Sequence, residues 1–226
     1  MDLPKTNTAI NGISKAELRM TNDKKQNIDV NFFFPAEENN FETSVVMIPP
    51  GSQFQAGSHW HEKYDEVILV IKGRLKVRVG KEYVIRTPED GKIIIPPGIT
   101  HNVMRADHGL PQDERDDEEV IIHEWSGPVD GSKDLFFRHL FSIEEDRHVF
   151  GWKAKLQLIL TMMYTDNYIE IVPGPLSWYV THGVYAVARP IAFALGLQPF
   201  YREYLPKRLD ALAEKFYGGK LKLKQL

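Results

Sequence analysis

His59 and His61 stand two positions apart, with Trp60 between them. On an extended strand that spacing sends both imidazoles to one face and the indole to the other. Glu66 follows after the polar stretch Glu62-Lys63-Tyr64-Asp65, which can turn the chain and return a carboxylate to the same side. A third imidazole, His101, comes after the apolar run Ile93-Ile94-Ile95 and a Pro96-Pro97-Gly98 turn that delivers it to the start of a new strand. Three neutral imidazoles and one carboxylate suit a single borderline divalent ion and leave positions open for water or substrate. Such a site is catalytic in type, since a closed structural site keeps no open position. Any one of these residues alone reads as an ordinary core or surface group; the set carries the inference. The chain has no cysteine, which excludes disulfides, thiolate ligands and thiol nucleophiles and leaves His, Asp and Glu as metal ligands. His108, His123, His139, His148 and His182 show no comparable pairing and read as structural or exposed.

The elements that must position these residues are short strands. Between about residues 28 and 126, apolar or alternating runs are separated by Gly, Pro, Asn and Asp, the pattern of an all-β barrel or sandwich. The runs are VNFFF, ETSVVMI, EVILVIKG, RLKVRVG, YVIR, KIIIP and EEVIIHEW. Leu75, Val77 and Val79 alternate with Arg74, Lys76 and Arg78, so one face is core and the other is wet. Lys72-Gly73 predicts a tight hairpin, because glycine takes the positive φ such a turn demands. The acidic segment DHGLPQDERDDEE after Ala106 predicts a solvated surface loop.

The two histidine-bearing blocks together resemble the paired motifs of the cupin superfamily. Its first motif runs glycine, a His-X-His pair, a glutamate and a glycine, matched by His59, His61, Glu66 and Gly73. Its second is matched by Gly91, Pro96, Gly98 and His101. Three departures stand out. Seven residues separate Gly51 from His59 where the family usually has five, Gly91 lies one residue nearer its proline turn, and Arg105 stands where asparagine is common. The resemblance covers residues 28–126 and implies a mainly β fold there, a cupin-type double-stranded β-helix (jelly-roll) barrel; residues 1–27 read as a lead-in and residues 127–226 as an α-helical C-terminal extension. It implies one divalent metal ion per chain on His59, His61, Glu66 and His101, with Fe(II) favoured over Mn, Ni, Cu or Zn. It implies an enzyme acting on a small organic substrate, with an oxygen-using dioxygenase ranked first. A redox-neutral isomerase, cyclase or decarboxylase ranks second and a non-catalytic metal-bearing binding protein third. Glu66 doubles as a general base in the catalytic readings. Phe54 and Tyr64 suggest an aromatic or lipophilic substrate, against the commoner reading of such rings as core packing.

After Trp125 the pattern turns helical. Helices are predicted over Lys133 to Phe141, from Ser142 through a Ser142/Glu145 capping box, over Trp152 to Tyr164, and over Leu205 to Phe216. Residues 171–201 are apolar, broken by Pro173, Pro175, Pro190 and Pro199, with Arg189 the single charged side chain when His182 is neutral. They lead into a tail, 201–226, with seven Lys or Arg against three Asp or Glu. An apolar segment of this kind packs over the barrel or between two protomers of a dimer, or lies peripherally on a membrane through residues 171–226. A formal net charge of −3 offers no field for a phosphate backbone, so no nucleic acid partner is expected. The polar N-terminal stretch carries no signal-like apolar run, which predicts a cytoplasmic protein.

Overall fold

In the computed structural model, residues 30–35 and 40–221 are described; the expected lead-in at 1–27 lies outside them. The described residues of the first unit, 30–35, 40–57, Glu66–Ile95 and His101–Gly127, are built mainly of strands. They are β1 (Asn31–Phe33), β2 (Ser44–Ile48), β4 (Asp65–Lys72), β5 (Leu75–Val79), β6 (Glu82–Arg86), β7 (Lys92–Ile95), β8 (His101–Arg105) and β9 (Val120–Gly127). The two-residue strand β3 (His59–Trp60) belongs by its contacts to the second unit, Ser58–Asp65, Pro96–Thr100 and Pro128–Leu226. That unit also holds α1 (Ser132–Glu145), α2 (Arg147–Phe150), α3 (Ala154–Tyr164), β10 (Tyr168–Ile169), α4 (Ser177–Ala194) and α5 (Asp210–Tyr217).

Two five-stranded antiparallel sheets result, ordered β1-β2-β9-β4-β7 and β10-β3-β8-β5-β6. The fold is thus mainly β with a C-terminal helical region. Strand alternation appears where expected: Leu75 and Val77 on β5 are fully buried between half-exposed Lys76 and Arg78, and β9 alternates buried and half-buried along its length.

The Lys72-Gly73 hairpin expectation is overturned. β4 pairs with β7 in one sheet and β5 pairs with β6 and β8 in the other, so this turn carries the chain from sheet to sheet. The hairpin is β5–β6, closed through Gly80 at positive φ. Gly73 is still required: its φ is 76°, and a Cβ there would lie 2.6 Å from the Glu119 carbonyl oxygen. The acidic segment is also more than a solvated loop. Asp107 within it is buried, and Arg105, 1% exposed, grips it with Nε and Nη2 at 2.8 and 2.9 Å. Arg105 also donates to the carbonyls of Ile48, Glu118 and Asp116, so the departure from asparagine at this position ties three loop and strand ends together. Burial pushes the Asp107 carboxyl up, but the hydrogen bonds and charge of Arg105 outweigh it and leave it below its ordinary value.

In the helical unit, no helix starts at Ser142. α1 runs unbroken past it, and the Ser142 carbonyl accepts the Asp146 N–H at 3.0 Å. Capping requires a non-helical backbone, and burying Leu135, His139 and Ile143 on one face keeps this stretch helical to Glu145. α1 starts instead at Ser132, after Gly131 at positive φ, and Asp130 Oδ1 accepts the Ser132 N–H. The final helix begins later than predicted, at Asp210, because Leu205 before Pro206 is extended and a 3-10 turn intervenes at Lys207–Leu209. Within residues 171–201 there is one helix, α4, with Pro190 inside it and Gly196 at positive φ just past its end. No described helix is long and apolar enough to cross a membrane.

Candidate metal centre

Glu66 and His101 are placed by ladder register. Glu66, 3% exposed, is the second residue of β4 and lies opposite Ile95 on β7; His101, 1% exposed, opens β8 opposite Val79 on β5. His101 Nε2 stands 3.4 Å from Glu66 Oε1.

His59 and His61 are placed differently. β3 is only two residues long and ends at Trp60, so His61 lies just past the strand. Their rings nevertheless stand on the same side, with centroids 5.2 Å apart at 85°. Three contacts hold this segment. The His61 carbonyl accepts the Gly98 N–H at 2.6 Å, joining it to the Pro-Pro-Gly turn. The Asp166 carbonyl oxygen lies 2.8 Å from His61 Nδ1. Asp166 Oδ2 accepts the Glu62 and Lys63 backbone N–H groups at 3.0 and 2.8 Å. Burial pushes the Asp166 carboxyl up, opposed by those backbone bonds and by the His61 ring.

Trp60 turns away, as strand geometry predicts, and stacks on Tyr168, centroids 5.7 Å apart. Tyr168 stacks in turn on His182 at 4.8 Å, and His182 on Trp178 at 3.9 Å. Trp178 Nε1 donates to Glu62 Oε1 at 2.8 Å, and His182 Nε2 lies 3.1 Å from the same oxygen. Burial pushes the Tyr168 hydroxyl up to about 12, with the Glu62 and Asp166 charges adding to it.

One ligand atom from each of His59, His61, Glu66 and His101 can be chosen so that all lie within 4.8 Å of one another; the last three residues are buried. Donors around one ion at roughly 2.0–2.2 Å are separated by at most about twice that distance. The donor set and its spacing therefore fit a divalent ion, with the small remaining gap within reach of side-chain movement. None of the five other histidines enters such a cluster among the described residues. His139 is fully buried, with Nδ1 against the Leu135 carbonyl and Nε2 accepting the Tyr201 N–H. Tyr64 donates its hydroxyl to Asp130 at 2.6 Å and Phe54 is half-buried; neither placement singles out a substrate.

A family model described as "Cupin domain" matches residues 44–110, the stretch carrying all four clustered residues. This chain contains a cupin domain. It is 27% identical over 205 residues to "Oxidoreductase OpS7" of Beauveria bassiana, covering 78% of this chain and 67% of that protein. It is also 27% identical over 157 residues to "Probable oxidoreductase yanE" of Aspergillus niger, covering 65% and 58%. Against "Epoxidase atD" of Aspergillus terreus it is 27% identical over 153 residues, covering 65% and 45%. The chain thus spans about half to two thirds of the length of the curated relatives it matches.

Asp166, the residue behind the cupin domain's His-X-His segment, was missed in the sequence. It lies 105 positions from His61 and belongs to no motif. Its one local signal is Thr165-Asp166-Asn167 at the end of α3: Asp166 has φ 59°, a conformation that Asp and Asn tolerate best after glycine.

Proposed function

We propose that the chain is a metal-dependent oxidoreductase that uses oxygen on a small organic substrate, with a dioxygenase as the leading reaction type. The observation that carries this reading is the largely buried cluster of three imidazoles and one carboxylate within 4.8 Å. His59, His61, Glu66 and His101 would hold one divalent ion, with iron(II) the favoured metal. When bound, that ion supplies a redox centre and a Lewis acid with positions left open. The oxidoreductase and epoxidase names of the relatives favour oxidative over redox-neutral chemistry.

The chain's own residues have separate tasks in this reading. Glu66, released from the ion, would accept the proton of a substrate hydroxyl on a carboxylate oxygen, and pairing of β4 with β7 fixes the backbone that carries it. His59, His61 and His101 would each offer a ring-nitrogen lone pair to the ion. Burial of Glu66 and His101 excludes bulk water from that side of the cluster.

The test is iron-loaded protein in an oxygen electrode with a panel of phenolic and enol substrates. Oxygen uptake matched to product, lost in Glu66→Gln, is the expected result. Conversion without oxygen consumption rejects the oxidative reading in favour of a redox-neutral one.

A further inference from the structure

We infer that Asp166 is the positioning residue of the metal site: it fixes the His59–His61 segment from behind and commits His61 to presenting Nε2 as its ligand atom. The inference rests on reading the four-residue cluster as a metal site, and adds a residue outside the cupin motifs.

The argument begins with the segment's own weakness. A two-residue strand has too few ladder bonds to hold an orientation, and His61 lies beyond its end. What the ladder does not supply, Asp166 does at three points. Oδ2 accepts two consecutive backbone N–H groups, those of Glu62 and Lys63, which fixes the peptide leaving His61. The main-chain carbonyl of the same residue sits 2.8 Å from His61 Nδ1. A carbonyl only accepts, so this contact places the imidazole proton on Nδ1 and leaves the lone pair on Nε2. A ligating histidine whose other nitrogen donates to a carbonyl is held in tautomer and ring orientation, and losing such support typically costs about 10- to 100-fold in metal affinity.

Asp166 meets these demands at one position for identifiable reasons. It is 5% exposed, so its bonds do not compete with water. Its φ of 59° turns the carbonyl and the side chain toward the same segment just after α3 ends. The neighbouring backbone is itself anchored. Asn167 Nδ2 donates to the Thr165 carbonyl at 2.7 Å, Tyr185 donates to the Asn167 carbonyl at 3.1 Å, and Thr181 donates to the Ile169 carbonyl at 2.7 Å. The reach of α3 and α4 thus ends on one histidine.

Two substitutions in the full chain separate acceptor geometry from charge. Asp166→Gly removes both side-chain bonds while tolerating the backbone angle; Asp166→Asn keeps an acceptor oxygen and tolerates the same angle. Two readouts that do not involve turnover apply. The first is the tautomer of His61 in the metal-free protein, from long-range ¹H–¹⁵N correlation. The second is the affinity for Co(II), followed by its visible absorption, with far-UV circular dichroism reporting the fold. The expected results are Nδ1–H in the wild type, Co(II) affinity down about 10- to 100-fold in folded Asp166→Gly, and Asp166→Asn within about threefold of wild type. The inference is overturned by Nε2–H in the wild type, by a folded Asp166→Gly that binds like wild type, or by an Asp166→Asn as weak as Asp166→Gly. If Asp166→Gly does not fold, the wild-type tautomer and Asp166→Asn decide. A wild-type chain that takes up no Co(II) overturns the metal reading beneath it, whereas one that binds Co(II) with Nε2–H overturns this inference alone.

Discussion

Glu66 and His101 sit on strands whose neighbours repeat the same register for four or five residues, whereas His59 and His61 sit on a strand of two. The first pair is secured by many equivalent hydrogen bonds, each replaceable by the rest of its ladder. The second pair depends on a few unlike contacts from Asp166 and Gly98 and on the Trp60–Tyr168 stack. Ladder-held members of the cluster are therefore robust to changes around them, and loop-held members are sensitive to residues far away in sequence.

The largest effect separates ligands from everything behind them. His61→Ala and His101→Ala should each lower the metal content of gently purified protein from near stoichiometric to near zero, read by elemental analysis, because loss of a ligand exceeds the roughly 10- to 100-fold cost of losing its support. Equal metal in wild type and both variants would remove the cluster from consideration as a metal site.

Next comes the anchoring of the strand region. Arg105→Met leaves Asp107 buried without its cation, which should cost about 3–5 kcal/mol in denaturant unfolding. Asp107 ionises in its Arg105-paired state, so its contribution is present above the ordinary carboxylate pKa and is lost as pH falls through its lowered value.

The helical region responds to acid at a different place. Burial pushes the His139 imidazole down to about 4 from an ordinary 6.5. It folds neutral, so stability is unaffected above pH 6.5 and declines as pH falls from there toward 4, because the unfolded chain takes up the proton first. The loss reaches about 3 kcal/mol. Thermal melts of wild type and His139→Gln between pH 7 and 4.5 should diverge in slope, the variant being flatter; parallel slopes would mean that this histidine is not the acid-sensitive group.

The smallest effect concerns the outer side of α4. Tyr179, Val187 and Ile191 are exposed there, along an open groove of about 530 Å³ shared with Leu156 and Ile159 of α3. Exposed apolar side chains of this kind are where a contact between two protomers is tested. Val187→Lys with Ile191→Lys should turn a wild-type dimer into a monomer in sedimentation velocity, with stability changed by under about 1 kcal/mol. A wild type that is monomeric and sediments with anionic liposomes would assign the same side to a membrane surface instead.

Much of the metal cluster was legible because its signals are local or have fixed spacing. The strand period put His59 and His61 on one side, the Pro-Pro-Gly turn preceded His101, and alternation marked Leu75 and Val77 as core. Less legible were features that depend on what a residue meets. Ser142 carries a capping signal, but burial of its neighbours decided for an uninterrupted α1. Lys72-Gly73 reads as a hairpin, yet the strands on either side join different sheets. The acidic run after Ala106 reads as solvent-facing, but Arg105 draws Asp107 inside.

By itself, then, the sequence determined the identities of the four clustered residues, the mainly β class and the helical character of the described C-terminal region, since composition, periodicity and motif spacing are properties of neighbours along the chain. Only the tertiary structure decided which sheet each strand joined, which charges were buried, and that Asp166 stands behind His61. A contact spanning 105 positions leaves no periodic trace, because its partners are brought together by the packing of everything between them.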